Sequence, residues 1–185
     1  VLRPVIPQPE EDDDTSSASS DTSVTLVDKT KDENGETVSD PVNSVEITTV
    51  DGTFTVSRNE DGNLAVDEYA DLPLNTSNLS VLENNLETIT AKQEVASDAE
   101  NIADFGFGGD GFATLPTTGE DSSSTTVQGE GILVSVTVTY HDGTTYSFEI
   151  SRESPSKEGY YFREAGKSTI YLVDSTLTDA LLRPA

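Results

Sequence analysis

The sequence predicts an α+β domain made of two antiparallel β-hairpin/sheet units, each followed by a helix. Three observations carry that expectation. Residues 45–56 and 134–150 alternate apolar and polar side chains around Asp-Gly pairs, as half-buried hairpins do. Leu79, Leu82, Leu86 and Ile89 follow a 3-4-3 spacing that places all four on one helix face. A shift of 91 residues lays Val45 on Val136, Ile47 on Val138 and Asp51-Gly52-Thr53 on Asp142-Gly143-Thr144. That match predicts internal duplication of a ββ(β)α unit, with convergence on a common hairpin grammar as the plainer account.

Residues 1–9, VLRPVIPQP, set three prolines among apolar residues and favour extended chain. The run EEDDDTSSASSDTS at 10–23 has no aliphatic side chain larger than Ala18, too little to offset its ordering entropy. Residues 1–41 are therefore expected to form an acidic, Ser/Thr-rich disordered stalk carrying one short strand at 24–27. A calcium-binding acidic run is the functional alternative there, but a flexible run lacks preorganised ligands.

The first ββ(β)α unit is placed at 42–107. Val45 and Ile47 alternate with polar neighbours, as do Phe54 and Val56, around a two-residue type I′ turn at Asp51-Gly52. Leu64-Ala65-Val66 makes a third strand after the Asp61-Gly62 turn. Asn75 or Ser77 caps the following helix, and a short helical turn falls within 98–105. Residues 108–131, rich in Gly, Ser and Thr, are expected to form an insertion loop.

The second ββ(ββ)α unit is placed at 132–185. Val134, Val136, Val138 and Tyr140 alternate, then Asp142-Gly143 turns the chain into Tyr146, Phe148 and Ile150. Residues 160–162 and 170–173 form two further strands. A short helix follows, capped by Asp174 or Ser175, with Leu177 and Leu181 on one face and Pro184 as its stop.

Composition narrows the chemistry. The chain has 185 residues, 35 acids, 10 bases and one histidine, for a formal charge of −25. Such charge repels phosphate backbones, so nucleic acid is not an expected partner. Without Cys there is no disulfide, thiolate nucleophile or Cys-ligated metal. Residues 1–44 hold 11 acids and 3 bases, 45–131 hold 17 and 2, and 132–185 hold 7 and 5. If the protein binds a cation or a basic partner, 45–131 is the expected place. The sequence lacks Met, so Val1 is not a translation start. A lost N-terminal export signal or anchor is the preferred account, beside an internal fragment or a salt-adapted source. No stretch approaches the 18 or so apolar residues of a membrane span.

Several segments together resemble a bacterial envelope family catalogued as domain of unknown function 4340. They are VNSVEITTVDGTFTVSRNEDGNLAV at 42–66, DLPLNTSNLSVLENNLETITA at 71–91, NIADFGF at 101–107, VTVTYHDGTTYSFEI at 136–150, GYYFREAG at 159–166 and STIYLVDSTLTDALL at 168–182. The order and spacing over residues 43–183 carry the resemblance. This chain departs from the family in lacking a Trp in the third strand, where Leu64 or Val66 stands, and in the 108–131 insertion. The resemblance implies an exported domain held to the membrane by an N-terminal anchor and often encoded near transporter components. It implies no known catalytic residue, and no cofactor is expected.

His141 is the only imidazole, so any His-dependent triad or metal site must use it. It precedes Asp142 at a hairpin tip, where neighbouring side chains point to opposite faces, and reads as a solvated turn residue. Leu115-Pro116-Thr117-Thr118-Gly119 matches the sortase LPxTG pattern but lacks the following apolar helix and basic tail. Residues 57–68, SRNEDGNLAVDE, imitate an EF-hand loop, making Asn59, Asp61 and Glu68 a weak calcium candidate. Ser57 replaces the first Asp, and strands stand where helices should. GFGGDG at 106–111 lacks the context of a phosphate loop. Tyr160, Tyr161 and Tyr171 form either a ligand platform or part of the core.

The expected function is a noncatalytic extracytoplasmic interaction module with a protein partner at the cell envelope, touching the membrane only through its missing N-terminal anchor. The competing class is an envelope carboxylate-dependent hydrolase or a small-ligand or cation-binding protein.

Overall fold

The computed structural model describes residues 22–66, 76–108, 112 and 131–182. The architecture is α+β, dominated by antiparallel sheet. Among the described residues, ten strands and two helices follow in order: β1 (Val24–Asp28), β2 (Val42–Thr49), β3 (Gly52–Arg58), β4 (Leu64–Val66), α1 (Thr76–Glu87), β5 (Thr88–Ala91), β6 (Gln93–Ala96), β7 (Val134–Tyr140), β8 (Thr145–Glu153), β9 (Tyr160–Glu164), β10 (Ile170–Val173) and α2 (Ser175–Leu182). Eight strands make one sheet in the order β4-β3-β2-β7-β8-β9-β10-β6, and β1 pairs β5 separately.

The two hairpins expected to head separate units therefore share a single sheet. β2 and β7 pair antiparallel, with Val45 opposite Val138 and Ile47 opposite Val136. The reason is in the alternation itself. Each strand presents an apolar row to the same side, and abutting them makes one continuous core face. Val45, Ile47, Val56, Val136, Phe148, Ile150 and Phe162 are buried there together with Leu82 and Leu86 of α1 and Leu181 of α2. Each such side chain contributes roughly 1.5–3 kcal/mol by leaving water. Phe148 and Phe162 stack at 4.8 Å between centroids.

The opposite side of the central strands is hydroxyl-rich. Thr48 bonds Thr53 at 2.8 Å and Thr137 bonds Ser147 at 3.0 Å across neighbouring strands. A 3-10 turn (Ile102–Phe105), within the short helical segment expected at 98–105, caps on Asn101 and covers one end of this side. Phe105 meets Tyr161 edge to face at 5.2 Å, and Arg163 lies 5.2 Å from the Phe107 centroid. Tyr160 and Tyr171 pack against the core, and all three tyrosines are half-buried.

Three local expectations change. The β2–β3 loop is Val50-Asp51, since Thr49 pairs Gly52. Neither loop residue has positive φ, which a β-branched valine resists, and Gly52 takes φ 134° instead. By contrast Asp142-Gly143 belongs to a three-residue loop, closed by Gly143 N–H to Tyr140 O at 2.9 Å with Gly143 at φ 80°. Ile89 is buried but lies in β5, because α1 ends at Glu87. Ser77 falls inside the first turn of α1, while Asn75 lies outside the described residues.

Residues 93–96, unassigned from sequence, form the edge strand β6 on β10. Strand β1 spans Val24–Asp28, around the strand expected at 24–27, and β5 holds it. Residues 29–41 then follow the domain surface: Lys31 bridges Thr37, Val38 N–H donates to Thr30 O at 2.9 Å, and Pro41 is buried. Residues 1–21, Glu68, the LPTTG segment and Pro184 lie outside the described residues.

Candidate functional site

Two loops distant in sequence face each other across a cleft of about 470 Å³. One is the turn at 28–38 and the other is the β7–β8 tip at 140–144. Each is shaped by the same device. Asp28 Oδ1 accepts from Thr30 N–H at 3.1 Å and from its hydroxyl at 2.6 Å. Asp142 Oδ1 accepts the same two bonds from Thr144, at 2.9 and 2.6 Å. Such Asp-x-Thr pairs let a short side chain stand in for a backbone turn partner. Asp32 Oδ1 likewise collects the N–H groups of Asn34 and Glu36, at 2.8 and 2.9 Å.

The loops are tied at one end of the cleft. Lys29 Nζ donates to Asp142 Oδ2 at 2.7 Å and to Thr144 Oγ1 at 2.9 Å. His141 N–H donates to Pro41 O at 2.8 Å. The ammonium of Lys29 and the Thr144 donors hold the Asp142 carboxyl well below the usual carboxylate range. Turn N–H and hydroxyl donors lower Asp28 and Asp32 as well. Beneath the tie, the Tyr140 hydroxyl is buried and donates to Leu86 O at 2.9 Å. Burial, followed by the fields of Tyr146 and Asp142, raises its ionisation point well above a free phenol.

The residues singled out from sequence fall elsewhere, with one exception. His141 is exposed in the hairpin loop and lines the cleft. Asn59 Oδ1 accepts from Asp61 N–H and Asn63 N–H at 3.1 and 3.0 Å, so it shapes the β3–β4 turn. The Gly62 carbonyl in that turn accepts from Arg58. Among the described residues no three His, Asp or Glu side chains gather as a metal-ligating group. Within GFGGDG, Gly106 ends the 3-10 turn in the left-handed region, and 109–111 lie outside the described residues.

The cleft lies outside 45–131, the span in which the negative charge is concentrated. Its sequence signal is the Asp-x-Thr tripeptide at 28–30 and 142–144, a pattern that also stands at 13–15, 51–53 and 174–176.

A family model described as a domain of unknown function, DUF4340, matches residues 65–185. The chain belongs to this family. The DUF4340 match begins in β4, so β7 to α2 lie inside it and the β2–β3 hairpin precedes it. One wall of the cleft, residues 140–144, falls within the matched span, and the 28–41 wall precedes it. Neither the curated proteins nor the solved structures compared with this chain gave a match. Among the described residues, no helix is long and apolar enough to cross a membrane.

Proposed function

We propose that this chain is a noncatalytic extracytoplasmic interaction module of a membrane-anchored bacterial envelope protein, serving a transporter complex through contact with a protein partner. The observation that carries the reading is the use made of the charged groups at the cleft. Lys29, Asp142 and Thr144 spend their protons and lone pairs on one another. Asp28 and Asp32 spend theirs on their own turns. Acid–base catalysis needs two groups kept in different protonation states and aimed at one point. These groups instead form a joint, which fastens the segment after β1 onto the sheet. A module displayed on an N-terminal anchor needs its leading segment secured in that way.

A duplicated origin belongs to the same proposal. Pairing of β2 with β7 is centred on Glu46 opposite Thr137, residues also related by the 91-residue shift. A local two-fold between the hairpins accounts for both. The unequal hairpin loops count as one later insertion within that reading.

Crosslinking of the full-length protein in its native membrane, followed by identification of the captured chains, tests the function. The expected result is a specific envelope protein crosslinked to this domain. Recovery of no partner, together with a turnover abolished by substituting one carboxylate, overturns the proposal.

A further inference from the structure

We propose that the cleft between the 28–38 turn and the β7–β8 tip binds a short zwitterionic peptide, its carboxylate toward Lys31 and His141 and its ammonium toward Glu33. The inference rests on reading the domain as a noncatalytic module and supplies the chemical class of one ligand. It begins with size. A volume of about 470 Å³ falls in the range of roughly 300–1,000 Å³ typical of small-ligand sites.

Charge accounting then selects the ligand. Six ionisable carboxylate or ammonium side chains line the cleft: Asp28, Lys29, Lys31, Asp32, Glu33 and Asp142. Lys29 and Asp142 neutralise each other at 2.7 Å. Asp28 and Asp32 stay charged, and each commits its Oδ1 to turn donors. Lys31 and Glu33 remain, one of each sign, and neither makes a side-chain hydrogen bond or ion pair among the described residues. Lys31 acts on Asp28 only through its field. His141 adds an imidazole whose ring makes no such bond either.

A purely anionic ligand meets the field of a chain carrying −25. A purely cationic ligand leaves the Lys31 ammonium unanswered and meets it as a like charge. A zwitterion engages both open charges and brings no net charge into the cleft. Val38, Pro41 and Tyr140 supply apolar lining for the body of such a peptide, the last two buried. The walls are braced before any ligand arrives, by Lys29 on Asp142 and by His141 N–H on Pro41 O. Binding therefore carries little ordering cost.

The test is an amide-resolved NMR titration of the 185-residue chain with L-alanyl-L-alanine. Saturating shifts confined to residues 31–38 and 140–144 are expected. Lys31→Gln and Glu33→Gln should each weaken binding about tenfold, since each removes one charge-assisted bond. The C-terminal amide of the dipeptide should lose the same factor on the parent chain but nothing further on Lys31→Gln. Its N-acetyl form should behave in the same way toward Glu33→Gln. Absence of saturation at millimolar dipeptide, or shifts indifferent to both substitutions, overturns the inference. A crosslinked partner without dipeptide binding overturns only this inference and leaves the module standing. A dipeptide that binds and is then hydrolysed upholds the ligand class and overturns the noncatalytic reading.

Discussion

The phenol of Tyr140 donates a 2.9 Å hydrogen bond to the carbonyl of Leu86, 54 residues earlier in the chain. A sheet residue thereby terminates α1. Helix ends leave carbonyls without intrahelical partners, and α1 has no basic side chain in its last turn and no glycine after it. The next carbonyl, Glu87 O, accepts from Lys29 N–H at 2.8 Å. Lys29 Nζ lies 5.3 Å from the Tyr140 ring centroid and reaches on to Asp142. Helix end, N-terminal segment and hairpin tip are thus closed by one connected set of bonds.

Tyr140→Phe keeps the ring and removes the donor. Leu86 O is then left without its partner in a buried place, at an expected cost of about 1–2 kcal/mol. Urea unfolding should show a lower midpoint with an unchanged slope. An unchanged midpoint would mean that water reaches the carbonyl and the bond contributes nothing.

Thr178 on α2 makes the opposite case. Its hydroxyl is buried with no hydrogen-bond partner among the described residues, on a helix whose other buried side chains are Leu177, Ala180 and Leu181. Thr178→Val conserves shape and removes the unpaired polar atom, so a gain of about 1 kcal/mol is expected. A destabilised variant in thermal unfolding would contradict the environment described.

Arg58 joins four parts of the fold. Its Nε and Nη2 donate to Val42 O at 3.2 and 2.8 Å, and its remaining bonds reach Asp40, the Gly62 carbonyl and Glu83 of α1. Its side chain is 14% exposed and that of Glu83 20%. Arg58→Met strands Glu83 without its cation and frees two carbonyls, for an expected loss of about 3 kcal/mol. Lysine cannot reproduce the fork, so Arg58→Lys should recover less than half of it. Full recovery by lysine in denaturant unfolding would show that charge alone, not geometry, is at work.

These residues also show where the sequence was readable. Both hairpins, β4, β9, β10 and α2 were legible because their apolar positions alternate or repeat with a single period. Asp174 was legible as the α2 cap, and it accepts from Thr176 N–H at 3.0 Å. The step from Leu86 to Ile89 fits a helix, yet Ile89 begins another alternation through Ala91, and local spacing cannot separate the two. β6 has no apolar face to read, since the sheet meets it at an edge. Order at 29–41 comes from Asp28 and Asp32 bonding their own turns, which composition alone reads as solvated acid. The cleft was illegible for a further reason. Lys29 and Asp142 are 113 residues apart, and only the pairing of β2 with β7 and of β1 with β5 brings their neighbourhoods together.

The pH dependence of stability should carry two contributions of opposite sign. Asp142 is held below its ordinary range first by Lys29 and then by Thr144, so the folded state binds the carboxylate form more tightly. Its contribution is complete above about pH 5 and fades as pH falls below about 4. Because Asp142 is 49% exposed, solvent screening limits the pair to about 0.5–1 kcal/mol. Glu87 is raised by burial first and then by the fields of Glu83 and Asp28. The folded state favours its protonated form, so its contribution is present in acid and is lost as pH rises through the raised value. Asp142→Asn should therefore lower stability near neutrality, with the deficit closing in acid. Glu87→Gln should raise stability near neutrality by about 0.5 kcal/mol, with the gain closing in acid. Urea unfolding of both variants at about pH 7 and about pH 3 separates the two. An Asp142→Asn chain as stable as the parent at neutral pH would show that the Lys29–Asp142 tie is not formed in solution, and a Glu87→Gln chain less stable than the parent there would contradict the burial described for Glu87.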